Sequence, residues 1–260
     1  LPAADGYAKA ANKPAFVNVH LAAGTRQGSG QLQNSYFDGT PMVVTAAMRD
    51  TGSFGDHNTL GASSGFSQMG AVEDITKRRW EVLDGRGVAM ATRRAFKEAM
   101  TMPSGPVYLA FAGQALDAAN IEATISPASA LNMPELPNSG ELDAIHDALL
   151  NAENPLVVLG RDVRTAGAQR EMLELAEHYA LPVAVSFYDY GGYPLAHPNY
   201  VGMIDAMEDG THDVVLCIGY RQNTRASPAD ERFKNAGTII GLGHDSSMLG
   251  NTFALDHHLW

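Results

Sequence analysis

KPAFVNVHLAAGT, residues 13–25, is the stretch on which the fold and the candidate site both turn. Ala15, Phe16, Val17 and Val19 form a short apolar run broken only by Asn18, the pattern of a buried strand. His20 stands at the carboxyl end of that strand, and Ala22-Ala23-Gly24-Thr25 lead into a helix-like segment. In open α/β sheets, ligands sit in the crevice outside the carboxyl ends of the strands. An imidazole there, followed by small residues that let a flat ligand approach the backbone, reads in two ways. It is a cofactor shelf, or a polar residue that ends a strand before a tight turn.

Outward from this stretch, strands and helices alternate. Gly28 to Tyr36 is helical but Gly-rich, and Pro41 to Ala47 (PMVVTAA) is a second buried strand opened by a proline. Thr51 to Gly70 is a long loop of Gly, Ser and polar residues that includes His57 and Gln68, and loops of that length are uncommon unless they cover a site. A short strand surrounds Trp80. Gly87 to Met100 is an amphipathic helix with Val88, Ala91, Ala95 and Ala99 on one face, and Met102-Pro103 ends it. Pro106 to Ala112 (PVYLAFA) is the next buried strand. From Gly113 to Ser139 periodicity dissolves among Ala, Asn, Ser and Pro, which marks a linker.

A second unit follows. Leu142, Ile145 and Leu149 mark one helix face, and Met172, Leu175, Ala176 and Tyr179 another. Leu156–Leu159, Pro182–Ser186, Val214–Ile218 and Thr238–Ile240 are strands. Alternation of this kind implies parallel sheets with helices on both faces. The expected fold class is therefore α/β, with two doubly wound, mainly parallel-sheet domains: 1–116 and 139–260, joined by a linker over 117–138. The stretch 187–203, FYDYGGYPLAHPNYVGM, is aromatic and Gly-rich and carries His197. It reads either as a loop brought to an active site or as a surface loop with packed aromatics.

The formal charge is −11, with acid spread along the chain, which argues against nucleic acid or an anionic membrane as partner. No apolar run approaches the roughly 20 residues of a membrane span. The one cysteine, Cys217, lies in VVLCIG and reads as a core residue, so a reducing cytoplasm is the expected compartment. No G-x-G-x-x-G or Walker loop is present, His257-His258 lacks a metal-ligand spacing, and Ser63-Ser64 follows no buried strand as a nucleophile elbow would. Leu1-Pro2 opens the chain in a helix-compatible context and LDHHLW closes it without a helix, so a piece of a longer polypeptide is expected.

Ala4–Ala8 (ADGYA), KPAFVNVHLAAGT, TPMVVTA, Ile75-Thr76-Lys77 and SGPVYLAF, in that order, resemble the thiamine-diphosphate-dependent 2-keto acid decarboxylase and acetolactate synthase superfamily. The His-x-Ala-Ala-Gly-Thr form is nearest to its benzoylformate decarboxylase branch, other branches usually carrying Ser-Gly-Pro-Gly. NPLVVLGRDV, ALPVAVS, AHPNYVGM and HDVVLCIG resemble the middle domain of the same branch. The resemblance implies a pyrimidine-binding domain followed by a Rossmann-like middle domain. A third domain, with a Gly-Asp-Gly signature for Mg²⁺ and diphosphate, is not in this chain, and neither is the family's ring-contacting Glu.

What the resemblance implies is a lyase that decarboxylates a 2-keto acid to an aldehyde, with the thiazolium ring of the cofactor as nucleophile and electron sink. His20 and His197 would move protons, and Gly24, Thr25 and Gln27 would contact the cofactor; Gln27 departs from the branch's Asn. Thr51–Gly70 is longer than in the branch, so aryl specificity does not carry over. Arg161-Asp162 stands where a phosphate loop would be needed, which makes FAD unexpected. A homodimer or homotetramer is implied, because the family's sites lie between subunits, and the isolated residues would then be inactive. An acetolactate-synthase-type carboligase and a non-catalytic α/β binding or assembly module are the alternatives.

Overall fold

The structure, a computed structural model, describes residues 1–49, 67–128, 139–187, 191–207, 210–220, 233–251 and 253–259. The chain divides into two compact units, Leu1–Met133 and Pro134–Trp260.

The first unit is a four-stranded, wholly parallel sheet in the order β1-β2-β4-β3, from β1 (Ala15–Val19), β2 (Met42–Met48), β3 (Arg78–Val82) and β4 (Pro106–Ala112). The central strands β2 and β4 are continuous apolar runs because both of their faces are covered. Side chains alternate between faces along each strand. Met42, Val44 and Tyr108 pack with Ala8 of α1 (Pro2–Ala11), Leu32 of α2 (Leu21–Phe37) and Val72 of a 3₁₀ turn over Gly70–Ile75. Val43, Val107 and Leu109 pack on the other face against Ala95 and Ala99 of α3 (Val88–Met100). Pro41 gives β2 no backbone donor, but its carbonyl still accepts from Ala15 N at 3.1 Å, so the strand's pairing begins one residue before its first ladder residue. Lys77, from the Ile-Thr-Lys motif, donates its Nζ to the carbonyls of Glu98 (2.8 Å) and Thr101 (2.5 Å) and so caps the carboxyl end of α3.

After β4 the chain makes a short helix, α4 (Gly113–Leu116). Ala115, Ile121 and Ile125 then face Val88 and Phe96 of α3 across a groove of about 520 Å³. The residues read as the first half of a linker thus lie against the first unit. Among the described residues that line it there is no acid and no imidazole, and Arg93 is the only charged one.

The second unit carries a six-stranded parallel sheet in the order β10-β9-β8-β5-β6-β7. Its strands are β5 (Leu156–Leu159), β6 (Val183–Val185), β7 (Tyr200–Met203), β8 (Val214–Ile218), β9 (Thr238–Leu242) and β10 (His257–Leu259). One face packs Val157, Leu159, Val183 and Leu216 against Ile145 and Leu149 of α5 (Ser139–Leu150) and, after the short α6 (Asp162–Ala166), Met172 and Ala176 of α7 (Gln169–His178). The other face packs Leu156, Val158, Val215 and Cys217 against Ile204 and Phe233. Cys217 is a core residue, as its setting in the sequence implied, and burial pushes its thiol up to about 12. Two short strands escaped the sequence reading. β7 is cut by Gly202, and β10 contains the His257-His258 pair.

Candidate functional site

The exit from β1 is built by a single residue. His20 is extended (φ −85°, ψ 107°), and Leu21 then takes a left-handed conformation with φ 52°. For a bulky residue with a Cβ that conformation is strained, at a cost of about 1–3 kcal/mol, and such strain persists only where the surroundings over-determine it. The reversal puts the chain from strand to helix in one step: the His20 carbonyl accepts from Gly24 N at 2.9 Å as the first bond of α2, while the imidazole stays outside the helix. The ring is exposed and has no hydrogen-bond partner among the described residues.

A buried polar chain lies behind that turn. Thr25 Oγ1 donates to the Leu21 carbonyl (2.9 Å) and accepts from the Tyr108 hydroxyl (2.8 Å). Gln68 Nε2 donates to Tyr108 Oη (2.7 Å) and to the Ala47 carbonyl (3.1 Å). Each proton has one acceptor, so the direction Gln68 to Tyr108 to Thr25 to Leu21 is self-consistent. Burial pushes the Tyr108 phenol above its ordinary range, which outweighs the two hydrogen bonds and keeps it a donor. The strained Leu21 is thereby tied to central strand β4 and to the carboxyl end of β2.

The other residues expected here divide by exposure. Thr25 is 2 % exposed, and its hydroxyl proton is committed to Leu21. Gly24 has a packing reason: a Cβ there would lie 3.2 Å from Val19 Cβ, so the first turn of α2 presses on the end of β1. Gln27 is exposed on the next turn of α2. Gln68, read from the sequence as part of a long polar loop, is buried in the polar chain, its amide supplying protons to the Ala47 carbonyl and the Tyr108 hydroxyl. His57 and Ser63-Ser64 lie outside the described residues.

His197 belongs to the second unit and is held quite differently. It lies just ahead of Tyr200, which begins β7 beside Val183 at the start of β6, so it stands at the amino end of parallel strands. Its Nδ1 is 2.9 Å from the Tyr193 hydroxyl and accepts from Asn199 N at 3.2 Å; its Nε2 is 3.2 Å from Glu177 Oε1. Tyr193 itself is buried in the core beneath.

At the opposite, carboxyl end of this sheet the connections diverge: β5 leads to β6 and β7 on one side, and β8 to β9 and β10 on the other. That switch point is where α/β folds hold ligands. Here β5, β8 and β9 each end on glycine: Gly160, Gly219 and Gly243. A Cβ on Gly160 would fall 1.9 Å from the Gly219 carbonyl oxygen, and one on Gly219 (φ 59°) 2.2 Å from Asp162 Cβ. The space the glycines open is occupied by Asp162, whose carboxylate lies 3.7 Å from Arg161 Nε and 3.4 Å from His244 Nδ1. Among the described residues no group of three or more His, Cys, Asp and Glu side chains could hold a metal ion.

Residues 1–70 match the thiamine pyrophosphate enzyme N-terminal TPP binding domain, and residues 142–260 the thiamine pyrophosphate enzyme central domain. The chain belongs to the thiamine pyrophosphate enzymes. His20, Gly24, Thr25, Gln27 and Gln68 all fall in the TPP binding domain match, and the His197 cluster and the Asp162 crevice in the central domain match. The chain is 31 % identical over 234 residues to benzoylformate decarboxylase of Pseudomonas aeruginosa, which covers 83 % of this chain and 42 % of the relative. It is 23 % identical over 266 residues to acetolactate synthase isozyme 3 large subunit of Escherichia coli, covering 97 % and 45 %. The fold is similar to that of a thiamine diphosphate-dependent 4-hydroxybenzoylformate decarboxylase of Rhodococcus jostii, with TM-score 0.79 at 22 % identity over 98 % of this chain and 50 % of that one. The chain therefore spans less than half the length of these curated relatives.

Proposed function

We propose that this chain is part of a thiamine-diphosphate-dependent lyase that decarboxylates a 2-keto acid of the benzoylformate type to an aldehyde. The observation that carries the reading is His20: an exposed imidazole at the carboxyl end of β1, without a hydrogen-bond partner among the described residues, held there by a strained Leu21 within the TPP binding domain match. The turn fits the flat, hydrogen-bonding face of an aminopyrimidine. It offers a ring nitrogen, the Gln27 amide and the small residues Ala23 and Gly24, with the bulkier polar groups turned inward.

Bound thiamine diphosphate supplies a carbon nucleophile and an electron sink for loss of carbon dioxide. His20 gives or takes a proton at a ring nitrogen, which an imidazole does well near neutral pH. The Gln68-Tyr108-Thr25 chain keeps the turn at Leu21 rigid, so that His20 and Gly24 hold one position as the cofactor enters. Gly24 and Gln27 line the cofactor, Thr25 holds their turn from the buried side, and His197, ahead of the amino end of β7 and away from the carboxyl-end crevice, holds the 194–200 turn of the central domain. Mg²⁺ and the diphosphate are held by residues beyond those described. Asp162, with Arg161 and His244 beside its carboxylate, fills the space at the central-domain switch point, which supports a protein without FAD. The complete protein works in the cytoplasm as a homodimer or homotetramer, and the isolated 260 residues are inactive.

A carboligase of the acetolactate synthase type is the second reading, favoured by relatives such as the Escherichia coli enzyme. The complete polypeptide, supplied with thiamine diphosphate and Mg²⁺, separates these by product. Aldehyde and carbon dioxide from benzoylformate support the lyase. Acetolactate from pyruvate supports the carboligase. Failure to bind thiamine diphosphate overturns both in favour of a binding or assembly module.

A further inference from the structure

Side chains alternate along β1, β2 and β4, which sorts the carboxyl end of the first sheet into two faces. Val19, Met42, Val44, Ala46 and Met48 pack on the α2 side with Leu32. Val43, Leu109 and Phe111 pack on the α3 side, where Phe16 stacks on Phe96 of that helix. His20 follows Val19 and Arg49 follows Met48, so both belong to the α3 side. The register sets their heights. Val19 pairs with Ala46, and Ala47 with Phe111, so His20, Ala47 and Phe111 stand in one row. Arg49 is one strand over from His20 and two residues further out, at about 4.8 Å between strands and about 3.3 Å of rise per residue.

The row combines an imidazole, a methyl group and an aromatic ring, with a guanidinium beyond them. Arg49 is exposed and makes no hydrogen bond or ion pair among the described residues. Other cations of the unit are held. Lys9 meets Asp5 and Asp38, Lys77 caps α3, Arg79 meets Glu73, Arg86 meets Asp84, and Arg94 lies over Trp80. A guanidinium presents a planar fork of donors that matches a carboxylate. In a chain of net charge −11, an uncommitted fork at the carboxyl end of a parallel sheet suits an anionic ligand.

We propose that Arg49 is a substrate-binding residue: its guanidinium takes the carboxylate of the 2-keto acid while His20 faces the keto group of the same molecule. The inference rests on the reading of this chain as part of a 2-keto acid lyase. A 2-keto acid carries its carboxylate directly on the keto carbon, so one small molecule reaches both side chains. In decarboxylation the bond between those two carbons breaks. Its electron pair stays with the former keto carbon and passes into the cofactor ring, and the carboxylate leaves as neutral carbon dioxide. The charge that Arg49 holds is therefore largest in the bound substrate and fades toward the transition state. Such a contact tightens binding without speeding the chemical step, so its loss shows in KM. Nothing marks Arg49 in the sequence, where an apolar strand gives way to a polar loop.

The test uses the complete polypeptide with thiamine diphosphate and Mg²⁺. Arg49→Gln is expected to raise KM for the 2-keto acid about tenfold, the scale of one charge-assisted hydrogen bond at an exposed site, with kcat no lower than the parent's. Arg49→Lys keeps the charge but loses the fork and should fall between the two. Arg49 is exposed, so either variant keeps the fold. A second readout is inhibition by the 2-hydroxy acid of the same carbon skeleton, which has the carboxylate but no keto group to attack, beside its methyl ester. The parent should bind the acid about tenfold more tightly than the ester, and Arg49→Gln should bind the two alike. Parent-like KM in Arg49→Gln, or an acid that keeps its advantage over the ester in that variant, overturns the proposal. A fall in kcat with KM unmoved overturns it as well. With turnover lost in His20→Ala, these outcomes leave the lyase reading standing. A complete protein that turns over no 2-keto acid overturns that reading, and the proposal with it.

Discussion

Among the described residues, His20 projects from the carboxyl end of a parallel strand with neither ring nitrogen bonded, whereas His197 sits ahead of the amino end of another with both ring nitrogens engaged. In the first unit the polar contacts lie behind the histidine: Leu21, Thr25, Tyr108 and Gln68 fix the backbone and leave the imidazole free. In the second they converge on the ring. A free ring on a rigid, strained turn can exchange protons with whatever enters the crevice. A ring with both nitrogens engaged must give up or share a partner first. The comparison therefore assigns the two residues different burdens, His20 almost none in stability and His197 chiefly stability.

The widest gap should appear in turnover. His20→Ala in the complete protein is expected to lower kcat by about 10²-fold or more, the usual scale for loss of a general acid or base. Its thermal midpoint should stay near that of the parent, since the ring makes no hydrogen bond among the described residues. Steady-state kinetics beside calorimetry checks this. A parent-like turnover would erase the contrast with His197.

The next effect is on stability. Tyr108→Phe removes the hydroxyl that receives from Gln68 and gives to Thr25, in a site closed to water. Leaving those groups unpaired costs about 1–3 kcal/mol. Urea unfolding followed in the first unit should show the loss. A neutral result would mean that the chain behind His20 does not hold the turn.

How much of this was legible follows from the physics of each element. Met42–Met48 and Pro106–Ala112 were readable as strands because burial on both faces demands an unbroken apolar run. Tyr108 carried a signal of its own: a phenol inside such a run must find a partner. The place of His20 was readable because a strand, a turn and a helix follow one another within thirteen residues. The left-handed Leu21 was not, since leucine carries no local preference for that conformation and the chain that holds it, Thr25 backed by Tyr108 and Gln68, reaches into other elements. Gln68 lay hidden in a polar stretch whose composition says loop. The setting of His197 was hidden for another reason: β7 is four residues long with a glycine inside, so nothing in the sequence told which end of a sheet the histidine would meet.

The smallest expected effect is the most discriminating for Gly24. Two reasons for a glycine there compete: close approach of a cofactor ring, or close packing of α2 on β1. The structure supplies the second, with Val19 Cβ 3.2 Å from where a Cβ would stand. Gly24→Ala gains about 0.5–1 kcal/mol of helix propensity. Against that, Val19 must give by a few tenths of an ångström, a crowding that costs roughly 1 kcal/mol where it cannot. The two nearly cancel, so the unfolding midpoint should barely move. If packing is the whole reason for the glycine, thiamine diphosphate affinity should be equally unmoved. If the same methyl group weakens cofactor binding tenfold while stability holds, the turn serves the ligand as well, and Gly24 joins His20 on the open side of the site.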